Sequence, residues 1–219
     1  MRRIFVKNIQ GRENSDLVLR DAEHNHIASV LRMRAREQVI VICGDEFDYL
    51  YEISSIMKRE TTLKFISKSL NEKNPKQKFT VYLAAIKNID IAVTKLNEIG
   101  VSEIVVFESE HSNAKVNIEK LNTIAEQSCK QCERSIPVKV SGVIKFNELP
   151  AGAIYADFNG GKIIESKDIV IGPEGGFSVS ERETLLRSSK PVSLGSRILR
   201  SETAAIVLST LVLNKMGEI

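Results

Sequence analysis

Two short stretches near the end of the chain hold residue types that could do chemistry. "IVIGPEGGFS", residues 169 to 178, sets Glu174 among three glycines. "LGSRILRSETA", residues 194 to 204, sets Arg197, Arg200 and Glu202 just ahead of an apolar helical run. Charges at that place do not help a core to pack. A guanidinium stabilises negative charge that develops on a substrate oxygen, and a carboxylate takes up a proton. The alternative for Glu202 is a first-turn acid favoured by the helix dipole, with Arg200 as its ion-pair partner. For Glu174 the alternative is structural, a side chain bonding nearby amides to hold its turn.

The glycines give both stretches a second property. The first apolar run ends at Ile171, and Gly172, Gly175 and Gly176 then remove side chains from the turn, while Pro173 stiffens it. Gly195 follows Leu194 in the same manner. Two bare-backbone turns at one edge of one sheet would form a slot edged by peptide groups, able to read an adenine through main-chain hydrogen bonds. "GPEGG" lacks the Lys-Ser/Thr of a P-loop and the spacing of a dinucleotide turn, and Glu174 would repel phosphates. A nucleoside triphosphate site is excluded on that ground.

The elements that must position these turns follow from patterning. Residues 1–70 read mostly as short, β-branched strands: "RIFVK", "QVIVIC", "LYEISSI" and "TTLKFIS". One helix interrupts them, "AEHNHIASVLRMR", with Asp21 as its cap and Ile27, Val30 and Leu31 as its apolar stripe. A small β-barrel with one helix is the simplest packing of that set. "NEKNPKQK", residues 71–78, is nearly devoid of apolar side chains and reads as a linker. Over residues 79–219 strands alternate with helices. "FTVYLAAI", "SEIVVFES", "AIYADF", "DIVIGP" and "PVSLG" are the strands. The helices are "IDIAVTKLNEIG" closed at Gly100, "IEKLNTIAEQSCKQCER" stopped by Pro137, "SVSERETLLRSS" capped by Ser178 or Ser180, and a last one from Ser201. Strands apolar on both faces predict an α/β domain with a parallel sheet covered on both sides. Ligands in such sheets sit beyond the carboxyl ends of the strands, where both glycine turns fall.

Composition bounds the rest. Apolar residues are 42% and charged residues 27% of the 219, ordinary for a globular protein. The net charge of +3 is small but uneven. Residues 1–40 hold eight cations (Arg2, Arg3, Lys7, Arg12, Arg20, Arg32, Arg34, Arg36) against five acids, and residues 58–78 hold seven against two. That surplus suits either a nucleic-acid-facing surface or a solvated face. Three cysteines fit a reducing compartment. "CKQC", Cys129 to Cys132, has no second pair to complete a zinc site, and the three histidines lie elsewhere, so no metal is expected. "MRRIFVKNI" lacks a secretory apolar core, and no apolar run is long enough to span a bilayer, so a cytoplasmic location without membrane contact is expected.

"IGPEGGFSVSE" followed by "LGSRILRSETA" resembles the two signature segments of the RsmE family, SPOUT-class methyltransferases acting on N3 of a uridine in 16S ribosomal RNA. The resemblance runs the length of the chain. "HNHIASVLRMR" is similar to the family's first-domain segment, "VTKLNEIGV" to its Lys-x-x-Glu-Leu-Gly-Val segment, and "AEQS" with "QCERSIP" to its Glu-Gln-Ser-x-Arg…Pro stretch, whose basic position either Lys130 or Arg134 fills. The chain departs from the family's pattern at "AREQ" after the first segment and at Ile99.

The resemblance implies a C-terminal α/β knot, a SPOUT-like parallel sheet with a trefoil knot, behind an N-terminal PUA-like β-barrel. It implies S-adenosylmethionine bent in the knot, a homodimer, and 16S rRNA in the small (30S) subunit as partner. Under it, Ile171, Gly172, Pro173, Glu174, Gly175, Gly176, Leu194, Gly195, Ile198, Leu199 and Thr203 are the cofactor-binding candidates. Arg200 and Glu202 are the catalytic ones, and Arg20, His26, Arg32, Arg34, Arg134 and Arg197 the RNA-binding ones. Two rivals remain at this level: a SPOUT methyltransferase for another rRNA or tRNA base, and a non-catalytic RNA-binding module.

Overall fold

A computed structural model describes residues 1–7, 9, 15–112 and 114–219, and Arg12 of the basic segment lies outside them. The chain divides into two units, residues 1–74 with 129–136, and residues 75–128 with 137–219.

The first unit is a five-stranded sheet. Its strands are β1 (Arg3–Phe5), β2 (Leu17–Arg20), β3 (Gln38–Ile42), β4 (Phe47–Ile56) and β5 (Glu60–Leu70), in the spatial order β1-β3-β4-β5-β2. All neighbours are antiparallel except β1 and β3. Alternation sends Tyr49, Tyr51 and Ile53 of β4 into a core with Val39, Val41 and Leu63. The long β4–β5 ladder shifts register twice, and such bulges bend and twist a strand pair. The segment 129–136 is tied into this unit by two asparagines. Asn71 Nδ2 donates to the Glu133 carbonyl, and Asn74 Oδ1 accepts from the N–H groups of Ser135 and Ile136.

The helix of this unit differs from the expectation. It is α-helical only over α1 (Asp21–Asn25), with Arg20 rather than Asp21 at the N-cap, and continues as a π-helical turn, His26–Val30. Leu31 N–H bonds the His26 carbonyl, five residues back. That wider turn rotates the following side chains by about one position. Ile27 and Met33 are therefore buried, while Val30 points outward.

The second unit holds a six-stranded sheet, every neighbouring pair parallel. Its strands are β6 (Thr80–Ala84), β7 (Glu103–Glu108), β8 (Lys139–Lys145), β9 (Ile154–Gly161), β10 (Asp168–Ile171) and β11 (Lys190–Val192), in the order β11-β9-β10-β6-β7-β8. The helices are α2 (Ile89–Glu98), α3 (Ile118–Cys132), α4 (Val179–Ser188) and α5 (Ser201–Lys215). The central strands are apolar on both faces because helices cover both. On α5, Ala205, Leu208, Val212 and Leu213 form the buried stripe, and the helix packs on α2, β10 and β6. Two strands carried no clear signal in the sequence. β2 is only four residues long, and β8 is an edge strand, charged at both ends and carrying Gly142.

Candidate active site

The sheet order decides which strand ends meet. β9 lies between β10 and β11, so the turn after β10 and the turn after β11 flank its carboxyl half. Together they line a cavity of about 320 Å³ in the second unit. Of the expected residues, Gly172, Pro173, Glu174, Gly176, Leu194, Gly195, Arg197, Ile198, Leu199 and Arg200 line it. Ile171, Gly175, Glu202 and Thr203 do not. Ile171 is buried at the end of β10, Thr203 is exposed on α5, and Gly175 packs against His111.

Gly172 has an ordinary backbone conformation and is needed for space. A Cβ there would meet the Phe177 ring, 2.9 Å from Cζ and 3.0 Å from Cε2. Phe177 is fixed in turn by edge-on contacts with Phe146 and Tyr155. Gly176 and Gly195 are required for a different reason: both have positive φ, +72° and +102°. The carbonyl of Gly176 accepts from His111 Nδ1 at 2.9 Å. Beyond the turn, Ser178 caps α4 in a reciprocal capping box with Glu181. The buried Glu181 carboxylate also accepts from Ser109 Oγ and from Glu110 N–H.

Among the described residues neither Glu174 nor Glu202 pairs with an arginine. Glu174 Oε1 accepts from Lys87 N–H at 3.0 Å. Glu202, 8% exposed, accepts from Asn88 Nδ2 at Oε1, 2.9 Å away, and its buried Oε2 has no hydrogen-bond partner among the described residues. Arg197 and Arg200 reach solvent at the cavity rim. Burial pushes the nearby Tyr155 phenol up, with Asp157 adding to the effect.

Sequence reasoning did not single out the rest of the lining. Ala156, Asp157, Phe158, Phe177, Arg182 and Ser201 complete it. Asp157 falls within the predicted strand "AIYADF". Its Oδ2 accepts from Arg182 Nη1 at 3.1 Å, and its Oδ1 from Asn159 N–H. Lys87 and Asn88 read only as the approach to α2.

The RNA-facing candidates of the first unit are placed separately. Arg32 and Arg34 are exposed or nearly so, and Arg32 has a positive φ of 50°. Arg20 is exposed and paired with Glu60 at 2.9 Å. His26 is half-buried, and burial, then the Lys130 ammonium, hold its pKa below the ordinary 6.5. Arg134 is only 3% exposed, so it presents no guanidinium to solvent, and burial lowers its pKa against the opposing effect of Cys129 and Cys132. Among the described residues no three His, Cys, Asp or Glu side chains gather as a metal site, and no helix is long and apolar enough to cross a membrane.

A family profile described as an RNA methyltransferase domain matches residues 72–213, and one described as an RNA methyltransferase PUA domain matches residues 19–66. "Ribosomal RNA small subunit methyltransferase E" of Helicobacter pylori (strain ATCC 700392 / 26695) is 32% identical over 183 residues, covering 76% of this chain and 80% of the relative. The protein of that name from Mesomycoplasma hyopneumoniae is 30% identical over 233 residues, covering 96% and 98%. Among solved structures, a Thermotoga maritima protein described as a predicted RNA methyltransferase superposes with a TM-score of 0.81 at 26% identity, over the whole of both chains. A Neisseria gonorrhoeae ribosomal RNA small subunit methyltransferase E, solved with S-adenosyl methionine, shares the fold with a TM-score of 0.86 at 20% identity, over 99% and 98% of the two chains.

Proposed function

The chain belongs to the family of ribosomal RNA small subunit methyltransferase E, and we propose that it transfers a methyl group from S-adenosylmethionine to N3 of one uridine in 16S rRNA, on the assembled small subunit. The observation that carries the reading is the convergence of both glycine turns and Arg200 on one cavity, with Glu202 next in sequence to the lining residue Ser201.

The residues fit that cofactor. The cavity edge is bare backbone at Gly172, Gly176 and Gly195, and the Phe177 ring occupies the space a side chain at 172 would need. Leu194, Ile198 and Leu199 supply apolar walls, and Glu174 places a carboxylate beside a ligand of positive charge, the Asp157 carboxylate being paired with Arg182. Pro173 stiffens the first turn from within the lining, and Ile171, Gly175 and Thr203 stand within two residues of lining residues in the sequence. When bound, S-adenosylmethionine supplies a methyl group on a positively charged sulfur.

The chain's own part is positioning and charge. Uridine N3 carries a proton and is a weak nucleophile near neutral pH. Glu202 accepts that proton at Oε2, the oxygen left without a hydrogen-bond partner among the described residues. Arg200, exposed at the head of α5, stabilises the negative charge left on the uracil O2 or O4. Arg197 holds the adjoining phosphate. Residues 1–70 serve as the RNA-holding barrel, 71–78 as the linker and 79–219 as the catalytic domain. The C-terminal part of the chain carries the trefoil threading. Phe158 and Ile198, 57% and 86% exposed, line the cavity, and a second copy of the chain covers them in a cytoplasmic homodimer.

The test is mass spectrometry of 16S fragments from unmodified small subunits, before and after incubation with the protein and cofactor. One uridine should gain one methyl group on N3. Methylation of another base, of tRNA, or of nothing would overturn the reading.

A further inference from the structure

The turn between β6 and α2, which no catalytic motif marks, grips both site carboxylates through consecutive residues. Lys87 N–H donates to Glu174 of one glycine turn, and Asn88 Nδ2 donates to Glu202 at the start of α5. β6 neighbours β10 in the sheet, which brings this turn beside the cavity although the two bonds span 87 and 114 residues of sequence. Asn88 stands at the N-cap of α2, where an asparagine side chain ordinarily accepts a bond from its own helix. It makes no such capping bond. Its amide goes instead to Glu202 Oε1, which can only accept, so the nitrogen must face it.

From this we propose that Asn88 is the positioning residue for Glu202. It occupies one carboxylate oxygen and leaves Oε2, buried and without a partner among the described residues, as the acceptor for a ligand N–H. A buried acceptor left open is costly, and a donor brought by the substrate removes that cost when the site fills. The inference rests on the proposed function, in which the arriving donor is the uracil N3–H.

The experiment measures kcat and KM on unmodified small subunits, together with melting temperature, for the full chain. Asn88→Ala should lower kcat about tenfold to a hundredfold with KM for S-adenosylmethionine unchanged. Asn88→Ser places a side chain favoured at helix N-caps but one too short to reach Glu202 as the amide does, so kcat should fall as in Asn88→Ala while the melting temperature stays nearer that of wild type. Asn88→Asp should lower the melting temperature by setting acceptor against acceptor, whereas Glu202→Gln alone can turn its amide oxygen to the Asn88 donor and should lose kcat with little change in melting temperature. Combined, they oppose donor and acceptor again and should recover the melting temperature without recovering kcat. Full kcat in Asn88→Ala or Asn88→Ser, a loss confined to KM, or no recovery of melting temperature in the double variant would overturn this inference alone. A wild-type chain inactive on small subunits would overturn the proposed function and this inference with it.

Discussion

Gly172 and Phe177 are in van der Waals contact across the turn that follows β10, so closely that a methyl group on Gly172 would sit 2.9 Å from the ring. Phe146 and Tyr155 meet the ring edge-on, so the side left to it is the cavity it lines. Gly172→Ala should therefore displace the turn or push the ring into that cavity, costing about 1–3 kcal/mol of stability and most of the affinity for S-adenosylmethionine. Phe177→Leu in the same chain makes room and should restore part of both. Calorimetric titration with the cofactor and chemical denaturation measure the two effects.

Arg200 is exposed, so its removal should leave the fold intact. Arg200→Ala should lower kcat by about 100- to 1,000-fold with the melting temperature unchanged. Full methylation of small subunits by this variant would remove Arg200 from the chemistry.

The buried Glu181 carboxylate accepts from three donors: Ser178 N–H, Ser109 Oγ and Glu110 N–H. Glu181→Ala strips all three of their partner and breaks the capping box of α4. A loss of about 2–4 kcal/mol is expected, read by urea denaturation. The loop 109–112 should also exchange its amide hydrogens faster.

His26 gives the first unit a defined pH response. Its folded pKa lies below the unfolded 6.5, because burial and then Lys130 disfavour the charged ring. Between the folded value and 6.5 the unfolded chain binds more protons. The stabilising contribution is thus complete above pH 6.5 and is lost as pH falls through the folded pKa. His26→Gln should flatten that part of the stability profile in denaturation series across mildly acidic pH.

The exposed arginines of the first unit should make RNA binding salt-dependent. Arg32→Ala and Arg34→Ala should each reduce the slope of log K against log salt by about one. Arg20 is already committed to Glu60 and should change it less. A binding isotherm insensitive to salt would remove this surface from RNA contact.

Much of this molecule is written locally. The glycines of "GPEGG" and "LGS", the Ser178 cap and the apolar strands are legible because each reflects a demand of its immediate neighbours: a positive φ, an orphan N–H, a face without water. The π-helical turn at His26 was not legible, since one extra residue per turn leaves no mark in an apolar pattern and shows only as Val30 turned outward. β8 was hidden because an edge strand with few buried side chains carries little periodic signal.

The sequence by itself determined the family, the two bare-backbone turns and the charges beside them. The tertiary structure alone decided what those charges touch. Glu202 could have paired with Arg200, two residues away; it meets Asn88 instead, and Arg134, expected among the RNA-binding residues, is buried in the first unit. The physical reason is that propensity and patterning act over a few residues, whereas these contacts depend on which strands lie side by side. With β6 next to β10, Asn88 comes within hydrogen-bond reach of Glu202; that adjacency is fixed by packing the whole sheet, and no short stretch of sequence specifies it.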